Sequence, residues 1–376
     1  MNKIKVCHFT CAHEANDIRI FQKECVSLAK EGYEVYLVAP NTKSKVVNGI
    51  NIVGVSVKSM NPIYRLMVSA KKIYQAALRI DADIYHFHDI ELFKYGVKLK
   101  QKGYKVIFDS HENWIGYAEE ISWLPTAVKK ISAGIIKRNY RKYLKDFDAV
   151  ITVSPHIVDN LNKYREKIYL ICNYPIYNEQ LMPKINKEEF KKRNKIACYA
   201  GTVYKTSSQE IIIKSIQKIS NLSYYIIGSI SKKYKKKILE LDNSKKVYFL
   251  DFMPHKELLS YYQKCIIGVS IFNYAANLGG KKGSLGVNKM YEYMASGLPI
   301  ICTDFELWKK IIDEFHCGIY VNPYDSNAIE RSFRYFVDNI DQAYEMGQNG
   351  QKAILEEFNW NSQAVKLCDI YKKILN

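Results

Sequence analysis

The sequence has no apolar run long enough to span a bilayer, although 48% of its 376 residues are hydrophobic. It also has no Cys-x-x-Cys pair, and its nine cysteines are scattered from Cys7 to Cys368. Cys7 and Cys11 have no histidine partners at a zinc-finger spacing. No long apolar stretch precedes His8, so we expect no signal peptide. These absences favour a cytosolic protein with reduced, mostly buried thiols, and restrict any membrane contact to a peripheral one.

Acidic residues are in deficit, because 38 Asp and Glu face 56 Lys and Arg, which leaves a net charge of +18. Such an excess can attract nucleic acid, anionic lipid or a polyphosphate ligand. AT-rich coding would also produce it, since Lys, Ile, Asn and Tyr are all abundant, and both explanations remain open. Basic and aromatic residues are dispersed and no motif that reads RNA or DNA occurs, so we do not expect nucleic acid as a partner.

Short apolar runs alternate with amphipathic segments along the first half of the chain, a pattern that predicts a parallel sheet covered by helices. The predicted strands are Ile4–Phe9, Glu34–Ala39, Asn51–Val57, Ile84–His88, Val106–Asp109 and Ala149–Val153, and the predicted helices are Arg19–Lys30, Tyr64–Ile80 and Leu92–Gln101.

A break follows at Tyr174–Asn194, where two prolines and a basic stretch are typical of an interdomain linker. A second alternating series then begins, and it predicts a second α/β domain. Its strands are Ile196–Ala200, Ser223–Gly228, Val247–Leu250, Ile267–Ile271 and Pro299–Thr303, and its helices are Ser208–Ile219, Lys232–Leu241 and Val287–Ser296. We expect one domain at 1–180, with a terminal helix at 360–376 packed back on it, and another at 190–358. In such folds ligands bind beyond the carboxyl ends of the strands, so two domains can each hold one ligand.

Residues 288–301, which read Asn-Lys-Met-Tyr-Glu-Tyr-Met-Ala-Ser-Gly-Leu-Pro-Ile-Ile, carry a family resemblance. Asp17-Ile18-Arg19-Ile20, the segments 85–89 and 108–112, and Tyr199-Ala200-Gly201-Thr202 agree with it and occur in the same order. In these features the chain resembles the retaining glycosyltransferases of family 4. The resemblance implies the GT-B fold, two Rossmann-like α/β domains, the second of which binds a UDP- or GDP-linked sugar.

The predicted donor site centres on the helix at 287–296, which follows a glycine-rich loop at 279–286. Unpaired N–H groups and the dipole at a helix start favour a diphosphate, to which nearby lysines can add positive charge. The resemblance implies that Glu292 accepts hydrogen bonds from the ribose hydroxyls. The donor-binding set is Gly201, Thr202, Lys205, Gly228, Gly286, Val287, Asn288, Lys289 and Glu292.

The sequence departs from the family at two points of this site. Ser284 stands where many members have a glutamate that contacts the donor sugar, so the sugar must be held differently. Thr202 and Ser207-Ser208 replace the basic residues that usually follow Gly201. We therefore expect the diphosphate to be clamped by Lys205 and Lys289, or by the pair Lys281-Lys282.

On the acceptor side, the resemblance places His111 near the transferred sugar and the acceptor hydroxyl, as the catalytic residue. An imidazole titrates near neutral pH and can donate or accept a hydrogen bond there. His86, His88 and Asp89 resemble a metal constellation, but we expect structural or acceptor-side roles and no metal requirement. The remaining acceptor residues are His13, Asn16, Asp17, Arg19 and His88, with Arg19 at the rim as a ligand for carboxylate or phosphate.

The basic amphipathic stretch 128–144 can lie on an anionic lipid surface or form an ordinary solvated helix face, and both remain open. The resemblance implies transfer of a sugar to a cell-envelope polysaccharide or a lipid-linked glycan. We expect the protein in the cytoplasm, and peripheral attachment to the inner face of the membrane stays open together with the role of this stretch. A sugar-nucleotide epimerase of the same architecture is the alternative. Because no carboxylate pair stands out as a double-displacement set, we expect a front-face mechanism in which the leaving diphosphate helps to deprotonate the acceptor.

Overall fold

The computed structural model describes residues 3–120, 125–180 and 182–375. The chain divides into unit 1, residues 1–173 with 360–376, and unit 2, residues 174–359. Each unit has its own sheet covered by helices.

Unit 1 contains an eight-stranded sheet in the order β3-β4-β2-β1-β5-β6-β7-β8, parallel except for the hairpin pair β3 and β4. Successive side chains of a strand point to opposite faces, so β1 supplies Cys7 and Phe9 to one core cluster and Val6 to the other. The strands are β1 Lys5–Phe9, β2 Glu34–Pro40, β3 Lys45–Val47, β4 Ile50–Val55, β5 Ile84–Phe87, β6 Lys105–Ser110, β7 Ala149–Thr152 and β8 Tyr169–Leu170.

The helices of unit 1 cover both faces of its sheet, and the C-terminal helix Trp360–Leu375 packs against the cluster that contains Val6. The first helical stretch of unit 1 has wide π turns over Ile18–Cys25 and continues as the regular helix α1, Val26–Lys30. The helices are α1 Val26–Lys30, α2 Pro62–Tyr64 continued by a π turn at Arg65–Ser69, α3 Ala70–Leu78, α4 Phe93–Gln101, α5 Trp114–Glu120, α6 Thr126–Tyr143 and α7 Pro155–Leu161.

Unit 2 contains a fully parallel six-stranded sheet in the order β11-β10-β9-β12-β13-β14. Its strands are β9 Ile196–Ala200, β10 Ser223–Ile227, β11 Val247–Leu250, β12 Ile267–Ser270, β13 Ile300–Thr303 and β14 Gly318–Val321. Its helices are α8 Lys187–Lys191, α9 Gln209–Ile216, α10 Lys232–Leu239, α11 His255–Tyr262, α12 Asn288–Ala295, α13 Glu306–Phe315, α14 Ser326–Asp338 and α15 Ile340–Glu356, and α16 is the C-terminal helix Trp360–Leu375 of unit 1.

Helix α12 is fixed on the sheet of unit 2 by Tyr293. The backbone N–H of Ala200 donates to its hydroxyl at 2.8 Å, and its ring occupies the space that a side chain at Gly268 would need. Tyr293 therefore ties α12 to the last residue of β9 and to the first half of β12.

None of the helices in the described part of the chain is both long and apolar enough to cross a membrane.

Candidate active site

A buried polar cluster lies at the carboxyl ends of β1, β5 and β6 in unit 1. His8 pairs in register with His86, and their rings are 4.4 Å apart. The ring of His88 stacks on that of His86 at 4.6 Å, and all three histidines are fully buried. Burial lowers the pKa of His8 to about 3 and those of His86 and His88 well below the ordinary value, although the charge of Asp109 opposes the shift. The three rings are therefore neutral at physiological pH.

His111 joins this cluster to the surface, since its side chain is 13% exposed. Its Nε2 lies 3.1 Å from Asp109 Oδ2 and 3.2 Å from Nδ1 of the buried His88. A ring held on one nitrogen in this way leaves the other nitrogen for a substrate hydroxyl.

The loop after β1 carries a second pair of titratable groups. His13 Nδ1 lies 3.2 Å from Asp17 Oδ2, and His13 Nε2 lies 3.5 Å from Asp89 Oδ1. Burial alone would lower the pKa of His13, but the Asp17 hydrogen bond and the Asp89 charge raise it above its ordinary value. The same bond outweighs the burial of Asp17 and lowers the pKa of that carboxyl to about 2. Both shifts favour the charged forms of the two side chains, and so favour an ion pair between His13 and Asp17.

A cavity of about 490 Å³ opens beside this loop and is lined by Asn16, which is exposed, together with Glu14, Phe21, Pro40 and Met60. His13, Asn16 and Asp17 thus lie together on the loop, as the sequence predicts, and His13 also contacts the ring of His111 at 5.6 Å.

Two predicted acceptor residues occupy different surroundings from those expected. Arg19 is 4% exposed instead of lying at the rim, because its guanidinium is held by Asp109 at 2.8 Å, Glu24 at 3.0 Å and the Ile171 carbonyl at 3.1 Å. His88 is fully buried and its Nδ1 lies 3.2 Å from His111 Nε2. The expected rim position of Arg19 is therefore not observed, and contact of Arg19 and His88 with an acceptor stays a prediction.

The described residues bring together two groups that could hold a metal ion. One is His8, Glu24, His86 and His88, and the other is His88, Asp109 and His111. His8 and Glu24 could not be predicted from the sequence, because His8 is a single polar residue in an apolar strand and Glu24 is one of several polar residues in a helical stretch. Only the fold brings them to the other histidines.

In unit 2, Gly201 and Gly228 follow β9 and β10 and pack directly on each other. Their φ angles are +117° and +128°, and a Cβ at Gly228 would lie 2.6 Å from the Gly201 carbonyl oxygen. Only glycine fits this close approach. Thr202 and Lys205 lie beside them and are exposed, so the backbone here is open to a ligand.

Lys289, at the start of α12, reaches this pair of glycines. Its Nζ lies 3.3 Å from the point where a Cβ of Gly201 would stand, and it lies 3.6 Å from the centre of the Tyr199 ring and 5.0 Å from that of Phe272. The residue is partly exposed, but its ammonium group is packed among these rings, and desolvation lowers its pKa from 10.5 to about 7 despite the opposing charge of Glu292. An anion arriving here would restore the proton.

Glu292 lies one turn further along α12 and is held by two side chains of α11. His255 Nε2 is 3.1 Å from Glu292 Oε1, and the Tyr262 hydroxyl donates to Oε2 at 3.2 Å. His255 and Tyr262 could not be predicted from the sequence, since an ordinary amphipathic helix carries no signal of the carboxylate that it faces.

The loop before α12 brings Gly286, Val287 and Asn288 to the helix start, where no side chain caps the backbone and the buried Asn288 Oδ1 has no partner among the described residues. Ser284 supports this loop: its Oγ accepts from the Gly286 N–H at 3.1 Å, and its carbonyl accepts from Trp308 Nε1 at 2.9 Å. The short side chain at 284 therefore shapes the loop.

Comparisons with known proteins agree with this arrangement. Residues 183–353 match the family model of glycosyl transferases group 1, and residues 23–174 match that of glycosyltransferase family 4. No curated protein matches the chain.

Solved structures share the fold. Sucrose-phosphate synthase from Thermosynechococcus elongatus is 15% identical with a TM-score of 0.77, and 99% of each chain is covered. A glycosyltransferase from Rickettsia africae is 15% identical with a TM-score of 0.72 over 100% of both chains. HepE from Anabaena, in complex with UDP and glucose, is 11% identical with a TM-score of 0.72, covering 98% of this chain and 100% of its own.

These likenesses confirm the predicted fold class, two parallel α/β sheets of the GT-B kind. Because the two family models together span nearly all of the chain, it belongs to the group 1 glycosyltransferases and is a glycosyltransferase.

Proposed function

We propose that the enzyme transfers a sugar, with retention of configuration, from a UDP- or GDP-linked donor to a cell-envelope polysaccharide or a lipid-linked glycan. The observation that carries the donor assignment is Lys289, a desolvated ammonium beside two close-packed glycines at the carboxyl edge of the unit 2 sheet. A buried cation without full solvation is stabilised by an anionic ligand, and backbone N–H groups at the start of α12 add to the attraction.

Within this site the diphosphate lies against Gly201, Gly228 and Lys289, and Glu292 accepts hydrogen bonds from the ribose. His255 and Tyr262 hold the Glu292 carboxylate in one orientation, which reduces the entropy lost on binding. HepE, with the same fold, is solved with UDP and glucose and with UDP-glucose, which supports a nucleotide-sugar donor. Donor binding needs no metal in this scheme, since Lys289 and the helix start supply the charge.

The acceptor side rests on His111 as the catalytic residue, with Asn16 lining the adjacent cavity and the His13–Asp17 pair on the same loop. The likeness to WaaG, a glycosyltransferase involved in lipopolysaccharide biosynthesis, supports an envelope glycan; it is 12% identical with a TM-score of 0.72. The epimerase alternative is not retained, because the family models describe glycosyltransferases.

We also propose that the enzyme works in the cytoplasm at the inner face of the membrane, held by α6. That helix exposes Val128, Ile131 and Ile135 to between 40% and 62%, a stripe one helical face wide, among exposed Lys and Arg side chains. Apolar side chains flanked by cations suit the interface of an anionic bilayer.

The donor site is tested by thermal-shift measurements with UDP, GDP, ADP and CMP and their sugar conjugates, on the wild type and on Glu292→Ala. A nucleotide at about a hundred times its dissociation constant stabilises by roughly 2.7 kcal/mol. We expect a shift with UDP or GDP that Glu292→Ala removes.

The matched control is Glu314→Ala, which removes an exposed glutamate from α13 of the same unit. It should keep the full nucleotide shift. Absence of any shift in the wild type, or an equal shift in Glu292→Ala, would overturn the donor site.

A further inference from the structure

The polar cluster of unit 1 contains four side chains arranged as a closed metal site. His8, Glu24, His86 and His88 each offer one ligand atom, and these atoms lie within 4.8 Å of one another. All four residues are fully buried. They come from β1, the first helical stretch and the end of β5, so the grouping is made by the fold and not by one local segment.

Two atoms of the group, Glu24 Oε2 and His86 Nε2, lack hydrogen-bond partners among the described residues. The other carboxylate oxygen, Glu24 Oε1, forms an ion pair with Arg19 Nε. Buried carboxylates are normally paired or coordinate a metal. Arg19 lies 3.0 Å from Glu24 Oε1, but the same guanidinium also holds Asp109 at 2.8 Å, so one cation faces two buried carboxylates.

The hydroxyl of Tyr371, from α16, sets the direction in which two of the rings face. It lies 3.1 Å from His8 Nε2 and 2.7 Å from His86 Nδ1. When its oxygen accepts both N–H groups, the lone pairs left are those of His8 Nδ1 and His86 Nε2. A partner that holds the outer nitrogen of a ligating histidine is the usual second layer of a metal site.

The distances fit a small tetrahedral ion. His8 Nδ1 is 3.0 Å from His88 Nε2, and Glu24 Oε2 is 3.8 Å and 3.9 Å from those two atoms. Zinc bonds of about 2.0–2.1 Å at tetrahedral angles separate ligand atoms by about 3.3 Å. Three imidazoles and one carboxylate also form a donor set that zinc accepts.

We propose that His8, Glu24, His86 and His88 bind one structural zinc ion that stabilises the carboxyl edge of the unit 1 sheet. Four protein ligands leave no open position, so the ion takes no part in binding substrate. The zinc also gives Glu24 the positive partner that Arg19 only shares with it. The site is independent of the donor site in unit 2 and stands or falls separately from it.

A proton on Glu24 is the competing way to remove the same excess charge. Burial raises the pKa of this carboxyl well above its ordinary value, although Arg19 opposes the shift. In that case the cluster contains no metal. A direct measurement of the metal content distinguishes the protonated cluster from the zinc-bound one.

The test uses the untagged full chain, purified without chelator from zinc-supplemented cells and examined by elemental mass spectrometry. We expect about one zinc per chain. Dialysis against a strong chelator should lower the melting temperature by several degrees, and added Zn²⁺ should restore it. Refilling with Co²⁺ should produce the intense visible absorption of a tetrahedral cobalt site.

Substitutions of single ligands test whether the zinc ion is bound at this cluster. Glu24→Gln and His86→Gln should each lose the bound zinc, whereas His156→Gln should retain it, because His156 is a buried histidine of unit 1 bonded to Ser154 outside the cluster. If the ligand variants fail to fold, the zinc content and cobalt spectrum of the wild type still decide the matter. Wild-type protein that carries no zinc, and whose melting temperature the chelator leaves unchanged, would overturn the proposal.

Discussion

At the scale of single residues, the protonation of Lys289 is a property of the proposed donor site that can be measured. Its pKa of about 7 lies below the 10.5 of an exposed lysine, so between these values the native state holds fewer protons than the unfolded state. Its contribution to stability therefore rises with pH across that window. A bound diphosphate reverses the depression, because its negative charge favours the ammonium form.

We therefore expect UDP binding at pH 8 to take up a proton, up to about one per site, and UDP affinity to fall as the pH rises through 7. Calorimetric titrations in two buffers of different ionisation enthalpy measure the uptake. In Lys289→Arg the charge is permanent, so the uptake should vanish. Lys310→Ala, an exposed lysine of α13, should leave it unchanged. Equal heats in both buffers for the wild type would contradict the assigned role.

Single residues also show where a sequence falls short. Glu292 and Lys289 could be named as candidates from a local pattern, since they lie one turn apart on one helix. Arg19 could not be placed correctly, because its partner Asp109 is 90 positions away and only the sheet brings them together. A charged side chain after a strand is ordinarily accessible, and here two buried carboxylates outweigh that tendency.

At the scale of elements, buried strands were the most predictable feature. The strands predicted around Glu34–Ala39, Ile84–His88 and Ile196–Ala200 agree with β2, β5 and β9 to within one residue at each end. Strand β3 was missed because two of its three residues are exposed, so no apolar run marks it. Helix α8 was also missed, inside the predicted linker, since its five residues bury only Phe190.

Helix α6 leads to an element-scale prediction about membranes. Replacing Ile131 with Asp places a charge in the middle of its exposed apolar stripe, and should lower binding to vesicles of anionic lipid several-fold. Binding should also weaken with salt, because the flanking lysines and arginines contribute electrostatically. Co-sedimentation with vesicles measures both effects.

Val365→Asp is the matched control, because Val365 is an apolar residue that is 64% exposed on α16 of the same unit, outside the proposed membrane-binding helix. It should bind vesicles like the wild type. An Ile131→Asp protein that still binds would show that α6 is an ordinary solvated helix.

At the scale of the whole molecule, the excess positive charge is not confined to one unit. Exposed lysines and arginines line α6 in unit 1, and α10 in unit 2 exposes Lys232, Lys233, Lys236 and Lys237. An excess of positive charge on both units fits the compositional origin, and the cations of α6 and Lys289 have the proposed local roles within it. It does not by itself indicate a nucleic-acid groove, which would concentrate the charge along one path.

Three carboxylates, two in unit 1 and one in unit 2, bear on the proposed reaction course. Retention by double displacement needs a carboxylate that attacks the anomeric carbon. Glu24 and Asp109 face Arg19 in the interior of unit 1, and Glu292 is held by His255 and Tyr262 in unit 2. These three groups are held by other side chains, which agrees with the proposed front-face reaction, in which the leaving diphosphate takes the acceptor proton and Lys289 stabilises its charge.

The nucleotide sugar that stabilises the protein in the thermal-shift experiment should be hydrolysed slowly by the enzyme. We expect the released sugar to keep the anomeric configuration that it had in the nucleotide sugar. Proton NMR of the first product formed, recorded before mutarotation, reads this directly. Intact-protein mass spectrometry during turnover should show no glycosyl adduct, because the proposed front-face reaction forms no bond between an enzyme carboxylate and the sugar. Lys289→Gln should slow hydrolysis without changing the anomer, since it removes charge stabilisation and leaves the geometry of attack. An inverted product would refute retention. A glycosyl adduct on the protein would show double displacement and refute the front-face reaction.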